Sequence, residues 1–489
     1  MEISCGAGIS IETKGTGACL GFAKEELKAY LLAMFKTLDF EKKRGAVKIL
    51  LEVRNSPVLR FDGYQLLITE QEVRITSRME RGVLHGVYHL LRLLGCSFWF
   101  SKTSIQNAPT LRRTTLNSGL FTENPMLESR GICLYGVTGK TVADVLATVD
   151  FMAKNNYNLL VTAVHSKGDA PENAHAIFWD EVQATVLPHL KKRGIELCVS
   201  PFCDTADSAK TNDGKQIDEV ENHDILKTAF GDDALLLSDT KQAFSIANAD
   251  KGKHSLYLID TDMGDSYSWQ TNLWIQPKSA KELVACAANA GLKGIVSLWR
   301  PISVWWSASL DFSFLREAYY HPDFSQRLML EKLCADLWSV CTPTFATVME
   351  LLYENVQDKA LWSRAPRAPK GLQEHTALRN SALDGYNQNA LKEKADEITA
   401  LLNSVLITRL SEHERYHMDC LKAYIKQQKQ FYLSIDQLCS DASSAAKMPA
   451  YYKCLAGIRS SIGEGFASEK YARWCLSEAV VSPPDTNTP

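Results

Sequence analysis

The sequence lacks long apolar runs, paired cysteines and any large excess of charge. No stretch approaches the roughly 20 apolar residues that cross a bilayer, and the first residues lack the charged and apolar regions of a signal peptide. The 13 cysteines are scattered without CxxC pairs, which indicates neither a zinc ribbon nor a disulfide framework. These absences predict a cytoplasmic protein that binds no membrane.

The charge is nearly balanced, because 54 basic and 57 acidic side chains give a net charge of -3. A chain with so little net charge has no field that attracts nucleic acid, so no nucleic-acid partner is expected. The glycine-containing run at 15–21, GTGACLG, does not have the spacing of the dinucleotide fingerprint GxGxxG, and no cofactor is expected. A small molecule is the expected partner, and the sequence leaves a homodimer open.

The length of 489 residues and the 45% hydrophobic content indicate a globular chain of more than one domain. The pattern predicts the α/β class with three domains. They are a small α/β domain at 1–120, a shortened or irregular TIM-like (β/α)8 barrel at 126–320 and an all-helical domain at 324–475. The barrel is expected to be shortened because about 185 residues are available, and a complete barrel takes roughly 250.

In the first domain the hydrophobic period alternates between that of strands and that of helices. The predicted elements are a helix at 22–36, a strand at 47–53, a hairpin at 63–77, a helix at 82–94 closed by Gly95, and a polar linker at 101–125.

In the second domain short apolar strands alternate with helices, which is typical of parallel β/α units. Strands are predicted at 131–135, 159–164, 195–201, 255–260 and 294–299, and helices at 141–154, 179–193 and 279–290. In such units the functional side chains directly follow the strands.

Several runs resemble a known architecture. These runs are Asp62-Gly63-Tyr64, the helix GVLHGVYHLL at 82–91, Leu94-Gly95 before Phe98-Trp99-Phe100, Ser129-Arg130-Gly131 and the helix end MAKNNYN at 152–158. The order resembles the accessory α/β domain and first barrel unit of bacterial β-hexosaminidases, α-glucuronidases and a large uncharacterised glycosidase-like family. Trp299-Arg300 and the run from Tyr319 to Phe324 resemble the last barrel strands and the helical tail. The resemblance implies a glycoside hydrolase fold and a sugar substrate.

One family feature is missing. The β-hexosaminidases carry an adjacent Asp-Glu pair after the fourth strand, and the nearest match here, Asp218-Glu219, follows no predicted strand. This departure argues against a mechanism that uses the acetamido group of the substrate.

Glycoside cleavage needs two carboxyl groups roughly 5–10 Å apart. Asp260 and Asp262 follow the strand at 255–259, and alternation directs them to the same side. We predict one of them as acid/base or nucleophile and Asp204, after the strand at 195–200, as the second carboxylate. The alternative is a surface turn or a weak cation site, although Thr271 occupies the position where an EF-hand needs Glu. No metal site is predicted.

Other side chains near strand ends have the chemistry of sugar binding, because arginine clamps hydroxyls or carboxylates and indole rings stack on sugar faces. The candidates are Arg130, Tyr135, His165, Trp299, Arg300 and Trp305. For Arg130 the alternative is a salt bridge that ties the linker to the barrel. For His165 it is a core histidine, and for the aromatic residues it is packing.

The leading hypothesis is a glycoside hydrolase that acts on a small glycan or glycuronide at the C-terminal face of the barrel. A second hypothesis is a non-catalytic carbohydrate-binding or scaffold protein with a degenerate barrel. A third is zinc proteolysis through His413 and His417 in a literal HExxH run, although its flanks indicate a solvated helix face.

Overall fold

The computed structural model describes most of the first 200 residues and parts of the remainder. The described ranges are 1–40, 47–98, 108–134, 142–162, 182–199, 236–238, 255–260, 277–289, 291–299, 305–338, 342–355 and 388–405, with a few residues between 408 and 422. The chain forms two compact units. The first unit comprises 1–259, 278–298 and 312–323, and the second comprises 260–277, 299–311 and 324–489.

The N-terminal part of the first unit is a mixed sheet with two helices. Its elements are β1 (Glu2–Ser4), β2 (Ile9–Lys14), α1 (Ala18–Phe35), β3 (Val47–Val53), β4 (Tyr64–Ile68), β5 (Glu72–Ser77), α2 (Glu80–Leu93), β6 (Arg113–Thr115) and β7 (Gly119–Glu123). The five-stranded sheet has the order β2-β3-β5-β4-β7. Strands β2, β3 and β5 are parallel, and β4 is antiparallel to both of its neighbours. Helices α1 and α2 pack on each other and against this sheet.

The helices, the strand and the hairpin that the sequence predicts here are confirmed within a few residues. The prediction of a polar linker throughout 101–125 is wrong, because two strands lie within that range. Strand β7 lies within it and completes the sheet as an edge strand beside β4, while β6 pairs with β1. An edge strand covers little apolar surface, and β7 alternates between half-buried and exposed residues. Its formation depends on backbone pairing with a distant segment, which a local hydrophobic pattern does not record.

Helix α2 lies close to the sheet because of two glycines one turn apart. A Cβ at Gly82 would overlap the side chain of Ser77 and the carbonyl of Asp62, and a Cβ at Gly86 would overlap Ile75. The helix ends as predicted at Gly95, whose φ of 94° lies in the left-handed region.

The remainder of the first unit contains a six-stranded sheet. Its strands are β8 (Ser129–Leu134), β9 (Leu159–Thr162), β10 (Glu196–Val199), β11 (Leu236–Ser238), β12 (Ser255–Asp260) and β13 (Gly294–Trp299). Their order in the sheet is β10-β9-β8-β13-β12-β11. The pairs β8/β9, β9/β10 and β11/β12 are parallel. Among the described strands of this sheet, the last in sequence, β13, therefore lies beside the first, β8. Read from β11, the order follows the chain to β13 and then continues from β8 to β10. A Rossmann sheet instead has the order 3-2-1-4-5-6.

Helices alternate with these strands, as the sequence predicts, which confirms the mixed α/β class. They are α3 (Val142–Lys154), a π-helical turn (Val182–Val186) that leads into α4 (Leu187–Arg193), α5 (Pro277–Asn289) and α6 (Trp305–Tyr320). Helices α3, α4 and α5 end alike, at Asn156, Gly194 and Gly291 with φ of 62°, 66° and 74°. In each case the next amide donates to the carbonyl five residues back, which turns the chain into the following strand.

The second unit is helical over much of its described part, which includes α7 (Gln326–Leu337), α8 (Thr342–Asn355) and α9 (Gln388–Ser404). Ser325 caps α7 by accepting a hydrogen bond from the amide of Leu328 at 3.2 Å. Between α7 and α8, Trp338 stacks on Phe345 with ring centroids 4.0 Å apart. Among the residues that the structure describes, we find no helix with the length and apolarity of a membrane span.

Candidate functional site

The first three strands of the six-stranded sheet finish at the same level. Leu134 at the end of β8 pairs with Thr162 at the end of β9, and Thr162 pairs with Val199 at the end of β10. Chain segments that leave these strands therefore start side by side at one edge of the sheet. The predicted site residues that follow these ends, namely Tyr135, His165 and Asp204, lie outside the described residues.

Two more predicted residues end neighbouring strands. Asp260 is the last residue of β12, and Trp299 is the last residue of β13. Trp305 is the first residue of α6. For these three the backbone alone is described, while Asp262 and Arg300 lie outside the described residues. The carboxylate pair and the sugar-binding roles stay predictions.

Arg130 lies at the opposite, N-terminal end of β8 and is fully buried. Its Nε donates to the carbonyl of Asn156 at 2.8 Å, and its Nη1 donates to the carbonyls of Leu127 and Glu128 at 2.9 and 3.2 Å. Its Nη2 donates to Oδ2 of Asp62 at 2.6 Å. A guanidinium enclosed in this way has no exposed surface to offer a sugar. The structure gives Arg130 an internal ion pair with Asp62, which precedes β4. The salt bridge that the sequence left open was one from the linker predicted at 101–125, so its partner differs.

Asp62 comes from the N-terminal part of the unit, just before β4, and is also fully buried. Its Oδ2 accepts hydrogen bonds from Arg130, from Nε of Arg81 at 2.8 Å and from Nδ2 of Asn158 at 3.1 Å. Burial alone would raise the pKa of Asp62, but the two guanidinium groups outweigh it and hold the pKa well below its usual range. The carboxylate is therefore ionised throughout the neutral range.

His85 on α2 lies beside this ion pair, with Nδ1 3.9 Å from Oδ2 of Asp62. The ring is fully buried, and neither nitrogen has a hydrogen-bond partner among the described residues. Burial, with smaller contributions from Arg130 and Arg81, lowers the pKa of His85 to about 3 against the attraction of Asp62. His85 is therefore neutral at pH 7.

A second group of charges lies where helices α1, α3 and α4 meet. Asp150 accepts from Lys154 and from Nη2 of Arg193, the latter at 2.9 Å, and these cations lower its pKa although burial acts to raise it. The guanidinium of Arg193 lies 4.3 Å from the ring centroid of Phe22, and the ammonium of Lys154 lies 5.6 Å from that of Tyr30. Charge and ring contacts thus join α1 to the helices of the six-stranded sheet.

The role of Asp62 was missed from the sequence. Asp62 and Arg130 are 68 positions apart, and nothing in the local pattern of either residue names the other. A signal was present, because each residue belongs to one of the short runs that carry the glycosidase resemblance. Charged residues held within otherwise apolar surroundings usually have partners.

The HExxH run is only partly visible. His413 and His417 lie outside the described residues, whereas Glu414 is buried and its carbonyl accepts from Nε1 of Trp338 at 3.1 Å. Within the described part of the chain, no three His, Cys, Asp or Glu side chains are placed to hold a metal ion. The zinc hypothesis stays a prediction.

Comparison with known proteins gives similarity in fold. No family model matches the chain, and no curated protein matches it. A GH115 4-O-methyl-α-glucuronidase with specificity for decorated arabinogalactans matches with a TM-score of 0.61 and 13% identity, covering 100% of this chain and 81% of the other. A GH138 enzyme targeting pectin rhamnogalacturonan II matches with a TM-score of 0.53 and 12% identity, covering 97% and 99%.

The N-acetyl-β-hexosaminidase of Streptomyces plicatus also matches, with a TM-score of 0.48, 14% identity and coverage of 71% of this chain and 94% of the other. The first two similarities extend over nearly the whole chain. The chain therefore has a glycoside-hydrolase-like fold.

Proposed function

We propose that the protein is a glycoside hydrolase that acts on a small glycan or a glycuronide. The observation that carries this proposal is the fold similarity to the GH115 α-glucuronidase over the full length of the chain. A similarity that includes the accessory domain, the strand-helix repeat and the helical segment supports a shared architecture for the site as well. Because fold alone does not define function, the chemistry has to come from the strand ends.

The strand order supports a barrel of the (β/α) type. A sheet in which the last strand neighbours the first is expected when strands close on themselves in chain order. The break in the described order falls between β10 and β11, where residues 200–235 lie outside the described residues.

The proposed reaction uses carboxylates that follow strands. Asp260 ends β12, and Asp262 follows two residues later, while Asp204 follows β10 by five residues. We assign acid/base or nucleophile to Asp262 or Asp260 and the second carboxylate to Asp204. Trp299, at the end of the strand beside β12, would stack on the sugar together with Trp305, and Tyr135, His165 and Arg300 would bind it as well.

The test is hydrolysis of a panel of 4-nitrophenyl glycosides and glycuronides by the full-length protein. Asp260→Asn, Asp262→Asn and Asp204→Asn are compared with Asp323→Asn, which alters an exposed carboxylate after α6. We expect Asp204→Asn to lower kcat by about 10²–10⁴. One of the two variants Asp260→Asn and Asp262→Asn should lower kcat by a similar factor. The control should keep the wild-type rate.

Activity that is unchanged in all three variants removes the assigned residues. Binding of a sugar without hydrolysis of any member of the panel would instead support the carbohydrate-binding alternative.

A further inference from the structure

We propose that Asp62 and Arg81, in the N-terminal domain, fix the register of the first three strands of the six-stranded sheet. They do so through contacts at the N-terminal ends of these strands. This inference is independent of the sugar chemistry, because it concerns the ends of the strands opposite to those that carry the predicted site residues. Asp62 and Arg81 are positioning residues in this proposal.

The contacts of Asp62 reach two strands. Its Oδ2 accepts from Nη2 of Arg130, the second residue of β8, and from Nδ2 of Asn158, the residue before β9. Asn158 also bonds to both backbone polar groups of Arg130. Its side-chain Oδ1 accepts from the Arg130 amide at 2.8 Å, and its backbone amide donates to the Arg130 carbonyl at 2.9 Å. One carboxylate oxygen therefore holds the starting points of β8 and β9 together.

Arg81 extends the same contact to a third strand. Its Nε donates to Asp62, and its Nη1 donates at 2.8 Å to the carbonyl of Gly194, two residues before β10. The same nitrogen lies 3.1 Å from Oε1 of Glu196, the first residue of β10. The N-terminal ends of β8, β9 and β10 therefore contact one buried acid, Asp62, and one arginine, Arg81, of the N-terminal domain.

Register matters because side chains alternate along a strand. A slip of one residue turns every side chain to the other face of the sheet. Strands β9 and β10 have four residues each, so their own ladders supply few hydrogen bonds to prevent a slip. A carboxylate that requires Arg130 and Asn158 at defined places penalises such slips, because a displaced register would take both donors away from Asp62 and leave the buried charge of Arg130 without its counter-charge.

The test is amide hydrogen exchange of the full chain, measured by mass spectrometry on peptides from both sheets. In Asp62→Asn we expect amides of 129–134 and 159–162 to exchange about a hundredfold faster than in the wild type, since Arg130 then loses its buried counter-charge. Amides of 47–53 in the N-terminal sheet should change by less than about threefold.

Two further variants make the test specific. Glu72→Gln removes an acid of the same domain whose partner Arg74 is partly exposed, and it should leave exchange in both sheets unchanged. Arg81→Gln keeps the Asp62–Arg130 pair and should accelerate exchange chiefly at 196–199, so it tests the proposal even where Asp62→Asn does not fold. Equal acceleration in both sheets, or none at the barrel strands in either variant, would overturn the proposal.

Discussion

Arg130 and Asp62 form an ion pair in which Nη2 lies 2.6 Å from Oδ2, and neither side chain has exposed surface. Removing two charges from water is costly, so such a pair is retained only with good geometry and additional hydrogen bonds. Here Arg130 donates to three carbonyls, and Oδ2 of Asp62 accepts from Arg81 and Asn158 as well, while Oδ1 of Asp62 is buried without a hydrogen-bond partner among the described residues. The pair joins the N-terminal part of the first unit to β8 of the six-stranded sheet.

Loss of one partner should be far more damaging than loss of both. We expect Asp62→Asn to lower the free energy of unfolding of the six-stranded sheet by about 3 kcal/mol, in line with the hundredfold faster exchange expected at 129–134 and 159–162, because the Arg130 charge would remain buried without compensation. The double variant Asp62→Asn/Arg130→Leu should be less destabilised than the sum of the single variants. Urea unfolding followed by circular dichroism measures both. A double variant as unstable as that sum would show that the charges act independently.

His85 should make the protein sensitive to acid. Its pKa is about 3 in the folded protein, because burial disfavours the charged ring, and about 6.5 when unfolded. Between these values the unfolded chain binds more protons, so stability falls as the pH is lowered from about 6.5 towards 3. His85→Leu should reduce this slope by at most about 1.4 kcal/mol per pH unit. Burial likewise lowers the pKa of His189, to about 4, which would leave part of the slope in the variant.

The check for His85 is urea unfolding of the wild type and the variant at intervals between pH 4.5 and 7. Below about pH 4 the ion pair of Asp62 contributes in the same direction, since its folded pKa is depressed and its stabilisation is lost as the pH falls. Identical slopes for wild type and variant above pH 4.5 would contradict the assignment to His85.

Two helical glycines should respond oppositely to alanine. Gly86→Ala would place a Cβ against the buried side chain of Ile75, and we expect a loss of roughly 1–3 kcal/mol from overpacking. Gly21→Ala on α1 meets open space and should gain about 0.5–1 kcal/mol from helix propensity. Thermal unfolding of the two variants distinguishes the cases. A stable Gly86→Ala would mean that α2 can move away from the sheet without cost.

Asn156 has a conformation that glycine adopts more easily than alanine. Asn156 lies just after α3 with a φ of 62°, and its carbonyl accepts a hydrogen bond from Nε of Arg130. We expect Asn156→Ala to lose about 1–2 kcal/mol through left-handed strain. Asn156→Gly keeps the backbone geometry and should be the milder change. Urea midpoints of the two variants test this order, and equal midpoints would show that the strain is relieved by movement of the turn.

Much of the fold could be predicted from the sequence because it depends on local periodicity. The strands at 47–53, 255–260 and 294–299 have the predicted bounds, and the helix at 141–154 differs by one residue. Strand β7 could not be predicted, because its polar composition resembles a linker and its stability comes from pairing with β4. The order of strands in the six-stranded sheet was implied only by the alternation of strands and helices.

The candidate site divides in a similar way. The sequence indicated which residues follow strands, and the structure places Asp260 and Trp299 at the ends of neighbouring strands. For Arg130 the sequence left two roles open, since a clamp for a sugar and an internal ion pair need the same guanidinium. Only the burial of its side chain and the distance to Asp62 distinguish them.

The sequence by itself determined the alternation of strands and helices and the close approach of α2 to the sheet at its two glycines. It also determined the turns that end α2, α4 and α5. Each of these features depends on residues that are near neighbours in the chain. Tertiary structure alone decided that Asp62 meets Arg130 and that β7 pairs with β4. The physical reason is that these contacts join residues far apart in sequence, and a charge selects its partner by distance in space once water is excluded.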